Sequence, residues 1–592
     1  MRFADLVAAY QRLEATTKRL ERRAILVEVM RAAPLAELPE ILYLSQGLLR
    51  PEYEGVELGV ADSLLRRAIA SATGATDEAI EQKYRENGDL GSTAESLRAA
   101  AGAPLASEAT VGEVYTEFSA LAAESGDGSQ EAKIRRLAGL LARASPVEAK
   151  YIARFALGQL RLGIREMSIL DALGEAFGPG TKESKARIEA SFNLCSDLGV
   201  VAQRLAEEGV PGLAQVHLTV GRPVRPMLAE RSPDLADVLT RMEGRAALEY
   251  KYDGIRVQAH LPAEGEPRLF SRRLENISDQ FPELLRELPR ALKRRPAIVE
   301  GECVSVDTDT DEMRPFQEVS RRRGRKYDLP RMEAEVPVRL FLFDVLLDGA
   351  TPTMALDFPE RRRRLAEMVQ DTDRVRVATQ REVTDVPGAQ AFFDQAIIDG
   401  CEGVMAKSLA PGSAYRAGAR GFWWIKYKRE YSHALADSID GVVVGGFYGR
   451  GRRAGKFGAL LMASYDPQQD RFESFCKVGS GFDDALLTEL PRRLAPYVVD
   501  HRPEEVETGL VPDVWMRPGL VLELRGAELS LSPTHRAAFG AIRPGAGFAL
   551  RFPRFTGRFR EDKAATQATT GRELLSLYRS QVRRSEGPTG PR

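Results

Sequence analysis

The hydrophobic pattern of this chain changes its period twice, which limits it to a molecule of several dissimilar domains. From the N-terminus to about residue 215, apolar side chains recur at helical spacing. Phe3, Leu6, Val7, Tyr10 and Leu13 open the series, and Ala-rich segments carry it to Leu205. At 216–226 (VHLTVGRPVRP) β-branched residues and prolines replace that pattern. Strand-like runs (Ala246–Tyr250, Ile255–His260, Arg339–Leu346) then alternate with helical, Arg-rich segments such as Pro359–Met368 as far as about 430. After Tyr431 come short strands with glycine turns: Val442–Tyr448, Ala459–Tyr465, Phe472–Val478, Leu520–Leu524 and Phe548–Phe552. The fold class expected is multi-domain: an all-α region over 1–215, an α/β (α+β) core over 216–430, a small β-barrel over 431–580 and a frayed tail over 581–592.

Composition narrows the function classes. A hydrophobic fraction of 43% supports packed cores and excludes a disordered or fibrous chain. Lys and Arg number 84 against 85 Asp and Glu, a formal charge of −1, which argues against a uniformly basic coat but allows basic surfaces on single faces. No run approaches the roughly 18–20 apolar residues of a membrane span, and the N-terminus is charged throughout, so a cytoplasmic protein without a membrane partner is expected. Cys195, Cys303, Cys401 and Cys476 lie far apart, without CxxC pairs, and read as reduced thiols.

Local signals place the motifs on elements. Ser145, Pro146 and Glu148 form the pattern of a capped helix start, and Ser168 with Asp171 suggests a second start for a helix ending at Gly178-Pro179. Between them runs Gly158-Gln159-Leu160-Arg161-Leu162-Gly163-Ile164-Arg165. It reads either as a phosphate-binding turn beside a helix N-terminus or as an ordinary helix–turn–helix with solvated arginines.

The chemistry concentrates in Glu249-Tyr250-Lys251-Tyr252-Asp253-Gly254-Ile255-Arg256, where Asp-Gly signals a tight turn just after a lysine. The segment is either a hairpin with surface charges or the site of a lysine nucleophile. An amine attacks only when unprotonated, and an ordinary lysine has a pKa of ~10.4, so nearby cations or burial must lower it. Such cations stand in Trp423-Trp424-Ile425-Lys426-Tyr427-Lys428, where strand alternation puts Lys426 and Lys428 on one face, unless this is an edge strand with solvated lysines. Two acidic motifs, Glu300-Gly301-Glu302 and Glu402-Gly403, read as carboxylates at strand ends, solvated or able to meet Mg²⁺.

The order of these motifs, namely KxDGxR, Ser271–Arg273, EGE, Phe343-Asp344-Val345-Leu346, EGVMAK and WIKYK, resembles that of covalent nucleotidyltransferases. More closely, it resembles the ATP-dependent DNA ligases of the archaeal, bacterial and eukaryotic replicative type. The segment LRLGIREMSILDAL is similar to the signature of their helical DNA-binding domain. Phe552-Pro553-Arg554-Phe555 through Arg560-Glu561-Asp562-Lys563 is similar to the last motif of their C-terminal OB-fold domain. The resemblance covers nearly the whole chain. Two departures stand out: Glu300 occupies a place more often held by aspartate, and Thr556-Gly557 a place commonly bulkier and basic.

The resemblance implies an enzyme that seals nicked double-stranded DNA in replication, repair and recombination. Lys251 would take AMP from ATP as lysyl-AMP, pass it to a 5′-phosphate as DNA-adenylate, and release it when the 3′-hydroxyl attacks. Glu249, Arg256, Arg272, Glu302, Phe343, Arg420, Lys426 and Lys428 would line the nucleotide pocket, with Phe343 offering a stacking surface. Glu302 and Glu402 would position Mg²⁺. Arg161, Gly163 and Arg165 would contact the DNA backbone, with Arg450, Arg452, Arg453 and Lys456 either a second such group or a solvated hairpin. Arg558, Arg560 and Lys563 would orient the pyrophosphate. A monomer is expected, and no segment reads as a docking peptide for a sliding clamp or repair protein. The competing readings are an RNA ligase or capping-type nucleotidyltransferase and a non-catalytic DNA-end-binding scaffold. An NAD⁺-dependent ligase is disfavoured by the lack of a four-cysteine zinc module.

Overall fold

The computed structural model describes residues 1–592 except 105–106, 307–312, 315, 326–328, 429–437, 449–455, 527, 552 and 586–592. The chain divides into two compact units. One comprises Met1–Glu230, Tyr252–Gln380 and Lys407–Trp424, and the other Arg231–Lys251, Arg381–Ala406 and Ile425–Arg592.

The first unit begins with helices packed around one apolar core. The opening helix, Phe3–Ala15, buries Phe3, Leu6, Val7, Tyr10 and Leu13, the residues its periodicity selects. The helix Pro146–Ala156 is capped as its sequence implies: Glu148 N–H donates to Ser145 Oγ at 3.3 Å and Ser145 N–H to Glu148 Oε2 at 2.7 Å. Ser168 is not a cap. The next helix runs Glu166–Ala176 from Arg165, and Ser168 N–H already donates to Arg165 O at 2.8 Å within its first turn. The last long helix, Leu198–Gly212, bends where Gly209 takes φ 66°.

The same unit holds a six-stranded sheet. Its strands are β3 (Ile255–Leu261), β4 (Arg268–Ser271), β5 (Ala297–Ser305), β6 (Val338–Asp348), β7 (Thr351–Pro352) and β8 (Val375–Val377). Their order is β4-β3-β5-β6-β7, with β8 parallel to β6. Val257, Leu284, Leu288, Val299, Leu340 and Leu365 are among the side chains that close its core against the flanking helices. Glu300 and Glu302 lie in the middle of β5 rather than at a strand end, so the strand-end expectation is corrected.

The second unit contains most of a sheet of order β1-β11-β10-β2-β9, with β1 (Leu228–Arg231), β2 (Ala246–Lys251), β9 (Gln380–Val383), β10 (Gly403–Ser408) and β11 (Arg420–Lys428). β11 lies between β1 and β10, which rules out the solvated edge strand. The hairpin alternative also fails, since β2 and β3 belong to different sheets. Gly254 makes that parting possible: a Cβ there would lie 2.3 Å from Cys303 O.

The C-terminal part of this unit is a curled, OB-like half-barrel. Its strands are β12 (Ile439–Tyr448), β13 (Phe457–Asp466), β14 (Arg471–Val478), β15 (Val498–Val499), β16 (Val506–Glu507), β17 (Val514–Met516), β18 (Val521–Arg525) and β21 (Arg554–Phe559), with β19 (Glu528–Ser532) and β20 (Gly547–Arg551) as a separate ribbon. Val443, Leu460, Phe475, Leu522 and Phe555 fill its core. Each such buried side chain contributes about 1.5–3 kcal/mol. The final helix, Gly571–Ser585, runs on past Ser580 into the segment expected to fray.

Candidate active site

Two charged clusters carry the sequence motifs, one in each unit. In the second unit Lys251 is the last residue of β2, half-buried, and Glu402 immediately precedes β10. Lys251 Nζ lies 2.5 Å and Lys428 Nζ 2.6 Å from the same Glu402 oxygen. The backbone ties the carboxylate to the lysine as well, since Glu402 N–H donates to Lys251 O at 2.9 Å. Gly403 brings the strands close enough: it takes φ 150°, and a Cβ there would stand 2.3 Å from Tyr427 O. Lys426 and Lys428 share the half-buried face of β11, while Ile425 and Tyr427 are buried. Glu249, two residues before Lys251 on β2, is buried. Tyr250 OH donates to Asp399 Oδ2 at 2.5 Å, anchoring the strand that ends in the lysine.

In the first unit Arg256, the second residue of β3, pairs with Glu300 of β5 at 2.8 Å. Glu300 is only 1% exposed, yet three donors satisfy it: Arg256 Nη2, Tyr415 OH at 2.8 Å and Gln258 Nε2 at 3.2 Å. Burial opposes the charge on Arg256, but Glu300 more than offsets this and raises its pKa. Burial first, then the charge of Glu300, pushes the Tyr415 phenol well above its ordinary pKa, so it remains a donor. The chain of bonds continues to His260, whose Nε2 faces Gln258 Oε1 at 2.8 Å and whose Nδ1 accepts from Gly221 N–H at 3.0 Å. Burial lowers His260 to about 3.

Phe343 sits where the β5–β6 register slips, Glu300 facing Asp344 and Gly301 facing Leu342, so it is the extra residue of a bulge. Lys407 Nζ donates to the carbonyl of Phe343 at 3.0 Å and lies 4.8 Å above its ring and 4.5 Å from that of Trp424. Arg256 stands 5.4 Å from the Phe343 ring, and Trp424 meets it edge-on at 6.1 Å. The Phe343 ring is therefore framed by cations and an indole. Lys407 and Tyr415 were missed as site residues. Lys407 had a visible signal, a lysine closing the apolar run Val404-Met405-Ala406, whereas Tyr415 had none.

The remaining expected residues are placed as follows. Glu302 is half-exposed on β5, directly across the ladder from Arg256. Arg272, in the turn after β4, and Arg420, the first residue of β11, are both exposed and join neither cluster. Among the described residues no three His, Cys, Asp or Glu side chains form a ready-made cation cage. The carboxylates present suit an ion that brings most of its ligands on substrate phosphates, as Mg²⁺ usually does.

Three family models match the chain: a DNA ligase N terminus over 2–174, an ATP dependent DNA ligase domain over 226–428, and an ATP dependent DNA ligase C terminal region over 453–563. A DNA ligase 2 of Thermofilum pendens is 47% identical across 98% of this chain and 97% of its own length. The chain belongs to the ATP-dependent DNA ligase family. A DNA ligase of Aeropyrum pernix, 45% identical over 99% of both chains, and a probable DNA ligase of Aquifex aeolicus, 45% identical over 98% of this chain and 99% of its own, agree. The solved structure named Pmar-Lig_Pre. shares the fold, with a TM-score of 0.55 and 18% identity over 94% of this chain and 99% of its own. Membership carries the activity of sealing nicked DNA with ATP, and the capping and scaffold readings are not favoured.

The candidate DNA contacts lie on the helical part of the first unit. Leu160 and Leu162 are buried while Arg161, Gly163 and Arg165 are exposed, so the turn is pinned by its leucines and shows its cations to solvent. Arg161 takes φ 58° and Gly163 φ 67°. Arg22 Nη1 donates to Gly163 O at 3.0 Å, and a Cβ on Gly163 would strike that guanidinium. Arg165 stands at the N-cap position of the helix Glu166–Ala176 with no capping bond from its side chain, and the first N–H groups of that helix open beside the loop. In the barrel, Lys456 donates to Thr488 Oγ1 at 2.8 Å, and Arg450, Arg452 and Arg453 lie outside the described residues.

Proposed function

We propose that Lys251 is the nucleophile that carries AMP, and that this chain joins 3′-hydroxyl and 5′-phosphate ends of nicked duplex DNA through lysyl-AMP and DNA-adenylate. The observation that carries the reading is the half-buried Lys251 at the end of β2, sharing one Glu402 oxygen with Lys428 in a chain of this family. The unprotonated amine, having lost its proton to solvent, forms a bond to the α-phosphorus of ATP, and the bond to the bridging oxygen breaks. Pyrophosphate leaves with that electron pair. The lysine nitrogen sheds its extra proton to solvent; an oxygen of the nick's 5′-phosphate then bonds to the α-phosphorus as the P–N bond breaks and the amine is reprotonated, and the 3′-hydroxyl, losing its proton to solvent, bonds to the 5′-phosphorus as AMP leaves.

The other residues serve alignment and charge neutralisation, on which phosphoryl-type transfers chiefly depend. Glu249, Arg256, Arg272, Phe343, Arg420, Lys426 and Lys428 bind the nucleotide, and Lys428 adds positive charge beside the negative charge of the reacting α-phosphate. Mg²⁺, held by substrate phosphates with Glu302 and Glu402, would neutralise phosphate charge. Arg161, Gly163 and Arg165 grip the DNA backbone, and Arg558, Arg560 and Lys563 orient the departing pyrophosphate. We read the chain as a cytoplasmic monomer acting on DNA; no described helix is long and apolar enough to cross a membrane.

Intact mass after incubation with ATP and Mg²⁺ tests the reading. One AMP is expected on the wild type, none on Lys251→Ala, and the adduct should discharge on nicked duplex. AMP-free wild-type protein that gains nothing would favour the scaffold, and an adduct formed only from GTP would favour a capping enzyme.

A further inference from the structure

The cations of the last motif are held by two carboxylates that face each other across the half-barrel sheet. β12 and β18 pair antiparallel with Asp440 directly opposite Glu523. Asp440 Oδ2 lies 2.7 Å from Arg560 Nη1 and 2.6 Å from Lys563 Nζ, and Glu523 Oε2 lies 3.7 Å from Arg558 Nη1. Like charges opposed in a ladder repel, so the pair of acids is tolerable only with these cations beside it. Asp440 is the more deeply placed acid. Its side chain is 8% exposed, and its Oδ1 is buried without a hydrogen-bond partner among the described residues. Thr569 clamps its backbone from both sides: Asp440 N–H donates to Thr569 Oγ1, and Thr569 N–H to Asp440 O, each at 3.0 Å.

The local chain is shaped to this contact. β21 meets β18 at Phe555↔Leu524 and Phe559↔Leu522, so β21 carries the surplus residues of a bulge. Gly557, within that surplus, takes φ 94°, a conformation glycine adopts without strain. The Thr556-Gly557 departure from the family pattern is thus the pivot of the strand that carries Arg558. The other edge of Arg560 is engaged by Asp562, with Nε and Nη2 each 2.9 Å from its oxygens, and that acid is exposed.

We infer that Asp440 is a positioning residue for the pyrophosphate-side cations, holding Arg560 and Lys563 on one buried oxygen so that they meet phosphate as a pre-ordered pair. Long cationic side chains lose rotamer freedom when they bind, and a fixed partner removes that loss in advance. The inference rests on the reading that Arg558, Arg560 and Lys563 orient pyrophosphate, and it adds the residue through which they are set. Asp440 therefore matters where pyrophosphate leaves or attacks, and not where a preformed DNA-adenylate is sealed with release of AMP alone.

The test is Asp440→Asn, which keeps shape and removes charge. In adduct formation kcat/KM for ATP should fall about 10–100-fold, the scale on which supporting side chains act, and pyrophosphate attack on purified AMP-enzyme should fall equally. Sealing of a nick with a preformed 5′-adenylate should stay within about threefold, a range too small for loss of a transition-state contact. Lys563→Met should add nothing further in the Asp440→Asn background if Asp440 acts through that cation. Additive losses, a fall in sealing of the preformed adenylate as large as that in the ATP step, or an unchanged ATP step would each overturn the inference. If Asn unfolds the barrel, Asp440→Glu moves the charge by one methylene and must impair the ATP step selectively. An unchanged ATP step there also overturns the inference. Wild-type protein that forms no AMP adduct in the same assay removes the ligase reading itself; a wild-type adduct with an unaltered variant removes only the role of Asp440.

Discussion

The two charged clusters, one in each unit, use the same device, one carboxylate oxygen shared between two partners, in opposite environments. Glu300 is 1% exposed, whereas Glu402 is 26% exposed. A buried carboxylate stripped of its counter-charge has no water to turn to, so the Arg256–Glu300–Tyr415 group is a permanent frame. A half-exposed pair exchanges with water and ligand at little cost, so the Lys251–Glu402–Lys428 group can open to a phosphate. The contrast separates a buried charge held in a fixed frame from a half-exposed one open to ligand.

The contrast can be broken most decisively at Arg256. Arg256→Ala should lower stability by about 3–5 kcal/mol, read from urea unfolding by circular dichroism. A loss below about 1 kcal/mol would mean that Glu300 is not a structural charge. Lys428→Ala should behave in the opposite sense, with AMP-adduct formation slowed about 10²–10³-fold and stability changed by no more than about 1 kcal/mol. Were the stability cost the larger effect, the two clusters would not differ in kind.

Acid should distinguish them next. His260 is bonded to the Gln258–Glu300 frame and is lowered by burial to about 3, against an ordinary value of about 6.5. Between these values the unfolded chain binds a proton that the folded chain refuses, so stability falls as the pH drops from about 6.5 toward 3. The slope assigned to this one group is about 1.4 kcal/mol per pH unit. Melting temperature against pH should therefore fall more steeply for the wild type than for His260→Gln, and parallel curves would take His260 out of the frame. The smallest effect is expected at the helical loop. Arg161→Ala or Arg165→Ala should weaken binding to nicked duplex and reduce the salt slope by about 1 each, with the AMP adduct formed at the wild-type rate. A slower adduct would tie the loop to chemistry rather than to grip.

Much of this was legible because its causes are local. The apolar set of the first helix, the Ser145–Glu148 cap and the position of Lys251 at a strand end before Asp-Gly each depend on residues a few places apart. Local reading erred where neighbours mislead. Ser168 resembles a cap but lies inside a turn begun by Arg165, and Glu300 resembles a strand end but lies mid-strand.

By itself the sequence determined the two changes of architecture, the placing of Lys251 at a strand end before a turn, and the family, since side-chain period, turn chemistry and motif order survive without coordinates. Tertiary structure alone decided that β2 and β3 part into different sheets, that a bulge turns out Phe343, that Tyr415 completes the Glu300 frame, and that Asp440 gathers Arg560 and Lys563. The partners in those contacts are separated by 115 residues for Tyr415 and Glu300 and by 120 and 123 for Asp440 with Arg560 and Lys563. Glu300 and Asp440 are fixed by strand register, a property of paired strands rather than of any one of them, and Tyr415, Arg560 and Lys563 reach them from the connections beside those sheets.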